Sequence, residues 1–238
     1  MSRCAVVNRR SAAALRDSSN PAWPEILDLV ANASDRIEVT AADSASSDAA
    51  LEALQVTTAS FLGALAGECG AILVDYGWLR ILGAGTQELP GLHEVNDLAE
   101  GPPLVLDVAW DALGGRFAIN GGGLNASPGE VCYWGPDTLT WTPIDGGHSA
   151  FVSWALTGGM ADFYDGLRWD GWEHEIESLS ADQGLSLYPP PFTLEGRDLA
   201  TVSRVPVLLS ELHSFYDEAA RQLPEDADGS TFEFKVTE

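Results

Sequence analysis

At 238 residues the chain is sized for one domain with embellishments, and its 45% hydrophobic content supplies a substantial core, which excludes wholesale disorder. Its 36 acidic residues face 12 basic ones, a net charge of −24 that repels phosphate backbones and weighs against nucleic-acid binding. No apolar run approaches the roughly 18–20 residues of a bilayer-spanning helix. Three cysteines, Cys4, Cys69 and Cys132, form an odd set without metal-ligand spacing, and read as reduced, partly buried thiols of a cytoplasmic protein.

Residues 1–19 read as a frayed leader, too short and polar for a signal peptide. Pro21–Ala31 predicts an amphipathic helix with Trp23, Ile26, Leu27 and Val30 on one face and both prolines in its first turn. Residues 37–40 (IEVT) predict a strand. Residues 42–48 read as a polar connector, with Ser47 as N-cap of a helix through Val56. Thr57, Thr58 and Ser60 then mark a break and a new cap before FLGALAGE.

The stretch Cys69–Leu156 is the expected folding core. AILVDYG and WLRIL predict consecutive strands, and residues 83–103 are mostly loop. PLVLDV (103–108) predicts a strand that turns through Gly114 and Gly115 into RFAIN. EVCYW and LTWTPI then pair across GPDT. Beyond the core, Ser149 can cap a helix bearing Phe151 and Trp154. Arg168–Leu179 predicts a helix with Trp169, Trp172, Ile176 and Leu179 inward and Glu173, Glu175 and Glu177 outward. Residues 185–192 begin as an extended segment, and SRVPV (203–207) suits an edge strand because of Pro206. Ser210–Leu223 predicts a last amphipathic helix with Leu208, Leu212, Phe215 and Ala219 inward, and residues 224–238 an acidic tail.

Few constellations carry chemistry. The glycines of INGGGL lack the helix and lysine of a phosphate cradle and read as a loop. The four histidines are scattered without metal-ligand spacing, and no nucleophile elbow occurs. We therefore expect no metal, no cofactor and no catalytic residue. Acids beside tryptophans (Trp110–Asp111, Trp169–Asp170, Trp172–Glu173) leave a glycosidase-like carboxylate pair as a rival reading. Asp75, Arg80, Asp107 and Arg116 lie within apolar strand-like runs. Outward placement is the preferred expectation for them, since a charge buried alone is costly.

The motifs YGWLRILGAG, DALGGRFAINGGGL, YWGPDTLTW, FVSWAL, FYDGLRWDGWE and DQGLSLYP, in that order, resemble the DUF2625 family of uncharacterised bacterial proteins, from about Trp23 to Val207. The core alone is similar to SMI1/KNR4-like (SUKH) proteins and to the GAD-like/DUF1851 immunity group. That second resemblance implies an interaction module with a curved antiparallel sheet flanked by helices, able to bind a polymorphic toxin, with no catalytic residues to carry over. Under it, exposed positions around Asp111, Asn120, Asp137, Arg168 and Trp169 are the candidate partner surface.

The expectation is a single α+β domain over 20–223, with a mostly antiparallel sheet from 71 to 144 and helices before and after it. Its expected role is a non-enzymatic protein binder whose acidity complements a basic, toxin-like partner. A hydrolytic enzyme and a housekeeping protein whose acidity reflects host salt are the alternatives.

Overall fold

Seven strands pair in the order in which the chain makes them. In a computed structural model, which describes residues 9–16, 19–98 and 101–222, they are β1 (Ile37–Val39), β2 (Ala71–Val74), β3 (Leu79–Leu82), β4 (Val105–Asp111), β5 (Arg116–Asn120), β6 (Glu130–Trp134) and β7 (Trp141–Gly147). Every neighbouring pair is antiparallel. A second antiparallel pair joins β8 (Gln183–Tyr188) to β9 (Ser203–Leu208). The helices among the described residues are α1 (Ala12–Arg16), α2 (Trp23–Ala31), α3 (Ser44–Leu54), α4 (Phe61–Glu68), α5 (Leu92–Val95), α6 (His148–Leu156), α7 (Gly159–Phe163), α8 (Trp172–Glu177) and α9 (Leu209–Gln222). The chain is α+β as expected, and its sheet reaches beyond 71–144 to residues 37 and 147.

Turn chemistry fixes the hairpins. Between β2 and β3 the Trp78 N–H donates to the Asp75 carbonyl at 2.9 Å, with Tyr76 and Gly77 both at positive φ. That is the tight turn whose twist matches paired strands. Asp75 therefore ends its strand instead of lying within it. In β4 a bulge at Asp107/Ala109 is held by Asn96, which donates to the Asp107 carbonyl at 2.9 Å and accepts its N–H at 2.8 Å.

The sheet is covered on both faces. Arg80, Trp110, Arg116 and Trp134 stand opposite one another across β3–β6, so their side chains share a face. That face meets β8 and α9: Arg80 donates to the Gln183 carbonyl at 2.7 Å, Trp110 meets His213 edge to face, and Trp134 lies beside Tyr216. On the opposite face Phe117 packs among Phe151 and Trp154 of α6 and Phe163 of α7, while α2, α4 and α6 touch one another behind it.

This two-sided cover corrects the preferred outward placement of the strand charges. Arg80 is 2% exposed, and Asp107 and Arg116 are half-buried. Alternation along a strand separates core from water only when one face is wet.

The helices follow the expected positions with shifted caps and faces. Asp43, not Ser47, caps α3, its carboxylate accepting the Ala45 and Ser46 N–H groups at 2.9 Å; Ser47 is buried within the helix. Ser60 caps α4 as expected, accepting the Gly63 N–H at 3.1 Å. Gly147, not Ser149, precedes α6. In α2, Leu27 is exposed and Ile26 is buried. The inner face of α9 is Leu209, Leu212 and Tyr216, one residue round from the expected face, which leaves Leu208 and Phe215 exposed. The helix expected over 168–179 shortens to α8, so Trp169 packs from a loop. Ala12–Arg16 of the expected leader is helical, with Leu15 buried. Residues 1–8 and the acidic tail at 224–238 lie outside the described residues, as does Cys4.

Candidate functional site

Two polar constellations meet at Trp78. The first is centred on Asp111 at the end of β4. Its Oδ1 accepts the Leu113 and Gly115 N–H groups at 2.9 and 2.8 Å, so the carboxylate closes the DALGG turn. Its Oδ2 accepts the Tyr133 and Tyr164 hydroxyls at 2.9 and 3.0 Å. Four donors fill the four lone-pair directions of the carboxylate, and its exposure is 0%. Burial raises the Asp111 pKa, against the lowering effect of the Gly115 N–H, Tyr133, Leu113 N–H and Tyr164 bonds. Burial, with the adjacent carboxylate, also lifts both phenols well above their ordinary range.

Arg80 supplies the opposite charge. Burial pushes its pKa down to about 10, with the Asp111 and Asp182 carboxylates acting against the shift. Its Nε and Nη1 find no acceptor within hydrogen-bond distance among the described residues.

The second constellation is built of arginines on aromatic faces. Arg168 lies 4.1 Å from the centre of the Trp172 ring, 4.9 Å from Trp78 and 5.6 Å from Tyr164, and pairs with Asp75 at 2.7 Å. Burial raises the Asp75 pKa, and Arg168 opposes that shift. Arg204 of β9 covers Trp169 at 4.3 Å and holds Glu175 at 2.8 Å, while the Trp169 Nε1–H donates to the same carboxylate at 3.0 Å. Glu175 thus stays partly exposed while paired with Arg204, and the Arg204 bond lowers its pKa. Arg36 stacks on Tyr76 at 4.8 Å and pairs with Glu177 at 2.6 Å. A cleft of about 120 Å³ opens beside Arg36, Glu38, Tyr76 and Glu177. It is small against the roughly 300–1,000 Å³ of ordinary ligand pockets.

The five residues expected on a partner surface are not one surface. Asp111, Asn120 and Trp169 are buried, Arg168 is half-buried, and only Asp137, in the β6–β7 turn, is exposed. The structure brings Arg168 and Trp169 together around Trp78, and Tyr164 links them to Asp111. Asn120 stands apart and organises the glycine loop. Its Oδ1 accepts the Gly122 and Leu124 N–H groups, and the Leu104 carbonyl takes those of Gly121 and Gly123. All four amides of that loop are therefore spent within the protein.

Of the acid–tryptophan pairs, Trp110 and Asp111 point to opposite faces of β4. Among the described residues no group of three or more His, Cys, Asp or Glu side chains could hold a metal ion. Tyr133, Tyr164, Arg36 and Arg204 escaped the sequence reading because their partners lie 22 to 141 residues away and no local pattern marks them. Cys69 and Cys132 are buried free thiols, and burial pushes Cys69 up to about 12.

A family model described as "Protein of unknown function DUF2625" matches residues 13–212. The chain belongs to the DUF2625 family. Among DUF2625 relatives, the "Putative uncharacterized protein YbfG" of Escherichia coli K12 is 36% identical over 179 residues, covering 74% of this chain and 82% of its own. An "Uncharacterized protein" of Haemophilus influenzae is 36% identical over 176 residues, covering 71% and 77%. No solved structure matches this DUF2625 chain. The matched span begins within α1 and ends within α9, so it takes in both constellations. These matches attach no role to the family and do not extend to the SUKH or GAD-like groups.

Proposed function

We propose that this DUF2625 protein is a non-enzymatic, cytoplasmic protein-binding module whose partner is basic. One observation carries the reading: five large apolar side chains are exposed along the stretch 188–215 of a chain with net charge −24. Tyr188, Leu194, Val205, Leu208 and Phe215 are all exposed, and all fall between residues 188 and 215. On α9, Glu211, Phe215 and Glu218 follow at i, i+4 and i+7, so an aromatic anchor sits between two acids on one stripe. An apolar centre with charged flanks is the anatomy of a protein interface, and the surrounding charge speeds and selects a basic partner.

Neutralisation of a basic toxin is the finer form of this reading. The Asp111 carboxylate favours it over hydrolysis, since all four of its acceptor directions are occupied.

The test is capture from host lysate by the full chain and by a Val205→Ser/Phe215→Ser variant, at low and high salt, followed by titration of the purified captured protein. A basic protein held at low salt, released at high salt and lost by the variant supports the proposal. Equal capture by both chains, or none by either, overturns it.

A further inference from the structure

We infer that the cleft beside Tyr76 receives an arginine side chain of the partner protein. The inference rests on the basic-partner reading above and names one contact within it.

The cleft lies where the covered face of the sheet ends. Glu38 of β1 stands opposite Leu73 of β2, and Leu73 opposite Arg80 of β3, so their side chains share the face that carries Trp110 and Arg116. β8 reaches that face at Arg80, through the Gln183 carbonyl, and Leu73 and Glu38 lie one and two strands further out. Leu73 and Leu179 give the cleft apolar walls, Glu38 and Glu177 bring carboxylates, and Tyr76 brings its ring. Glu38, Glu177 and Tyr76 are all exposed. A Cβ on Gly77, beside the ring, would meet nothing within 4 Å. The volume of about 120 Å³ holds one side-chain head and excludes larger ligands.

These are the groups with which the protein holds its own arginines. Arg36, Arg116, Arg168 and Arg204 each lie over an aromatic ring and pair with a carboxylate. A planar guanidinium satisfies a ring and a carboxylate at once, which the compact ammonium of lysine does not. The side chains of Arg116, Arg168 and Arg204 are only 15%, 16% and 19% exposed. That of Arg36 is 55% exposed and that of its partner Glu177 46%. Water therefore reaches this pair most freely of the four, and an incoming guanidinium competes with Arg36 for Tyr76 and Glu177. Glu38 offers it a second carboxylate. The Asp35 and Glu173 charges, which both act on Asp75 at the start of the Tyr76 turn, add to the negative field there. Such a field draws a guanidinium and repels an anion, and arginine is a favoured anchor in protein interfaces.

The test is a titration of the full chain with Nα-acetyl-arginine amide, Nα-acetyl-lysine amide and free arginine, followed by the NMR shifts of the Leu73, Gly77 and Leu179 amides. The expected result is a saturable shift at those amides, at least roughly threefold tighter for the blocked arginine than for the blocked lysine. Glu38→Gln should weaken that binding at least about threefold. Arg36→Ala should tighten it more than Arg197→Ala, which removes the same charge from an exposed position in the 195–197 turn. The β5 and β6 amides serve as the control that each variant is folded. Equal binding of the two blocked probes, or shifts that never saturate, is general charge attraction and overturns the inference. So does an Arg36→Ala effect no larger than that of Arg197→Ala. Tighter binding of free arginine than of the blocked form assigns the cleft to a small molecule and also overturns it. The lysate capture fails separately: a basic protein captured through Val205 and Phe215, with no arginine preference in the cleft, keeps the basic-partner reading and rejects only this contact.

Discussion

The Tyr164 hydroxyl, just past α7, donates to the Asp111 carboxylate at 3.0 Å across 53 residues of chain. With Tyr133 on the other side of the same oxygen, this bond ties the β4–β5 turn to β6 and to the helical layer. Removing the acceptor leaves two buried hydroxyls and two turn amides without a partner. Asp111→Ala should therefore lower unfolding free energy by about 3–5 kcal/mol in urea titrations, and Tyr164→Phe by about 1 kcal/mol. A loss below about 1 kcal/mol for Asp111→Ala would mean that the network contributes little.

Arg168 is held by shape as much as by charge. Its guanidinium stacks on Trp172 and Trp78 while pairing with Asp75, and lysine can reproduce only the charge. Arg168→Lys should cost about 1–2 kcal/mol and shift tryptophan emission to longer wavelength as Trp172 gains water. A double-mutant cycle with Asp75→Asn separates the pairing from the stacking. If Lys matches Arg in stability and emission, stacking is not what holds the loop.

A buried histidine, His148, and a half-buried one, His213, make the fold sensitive to acid. Burial pulls His148 from 6.5 to about 4, and burial with the nearby Arg116 charge pulls His213 from 6.5 to about 3. The unfolded chain takes up these protons at higher pH than the folded one, so stability is lost as the pH falls from about 6.5 toward 4. His148 alone accounts for a loss on the order of 3 kcal/mol across that window. Asp75, Asp107 and Asp111, all raised by burial, carry the opposite sign: their destabilising effect fades as the pH falls. His148→Leu should thus show a shallower acid slope in chemical denaturation at pH 4–6.5. An unchanged slope would count against a neutral, buried His148.

Glycines at two hairpin turns should differ in cost, and for different reasons. A Cβ at Gly115 would collide with the Asp111 carboxylate and the Tyr133 hydroxyl, so Gly115→Ala should cost about 2–4 kcal/mol by disturbing the network. At Gly77, φ is +89° and a Cβ would meet nothing within 4 Å. Gly77→Ala should cost only the backbone strain, about 1 kcal/mol. Thermal melts of the two variants rank them, and a larger loss at Gly77 would reverse the argument.

The order of strands and turns was legible where local chemistry dominates. Gly114–Gly115, GPDT and the Ser60 cap each act within a few residues, and each is found where the chain predicts it. Facing directions were not legible. Arg80 and Arg116 sit on strands covered from both sides, and what covers them, β8 and α9, lies about a hundred residues later. The site suffered the same way. Asp111 looked like a surface acid beside a tryptophan because the two tyrosines that surround it carry no mark in sequence. The ion pair of Glu175 left no mark in sequence because its partner Arg204 comes 29 residues later, on another element.

The meander in which each strand meets only its sequence neighbours also bears on how the protein is made. Each hairpin closes a short or moderate loop, so a chain leaving the ribosome can lay down β1 to β7 without waiting for distant segments. The buried guanidinium of Arg80 is the exception, since its hydrogen-bond acceptor, Gln183, is 103 residues downstream. Until β8 and α9 arrive, one face of the nascent sheet remains wet and its arginines hydrated. Emergence of α9 is then the step that dries the second face.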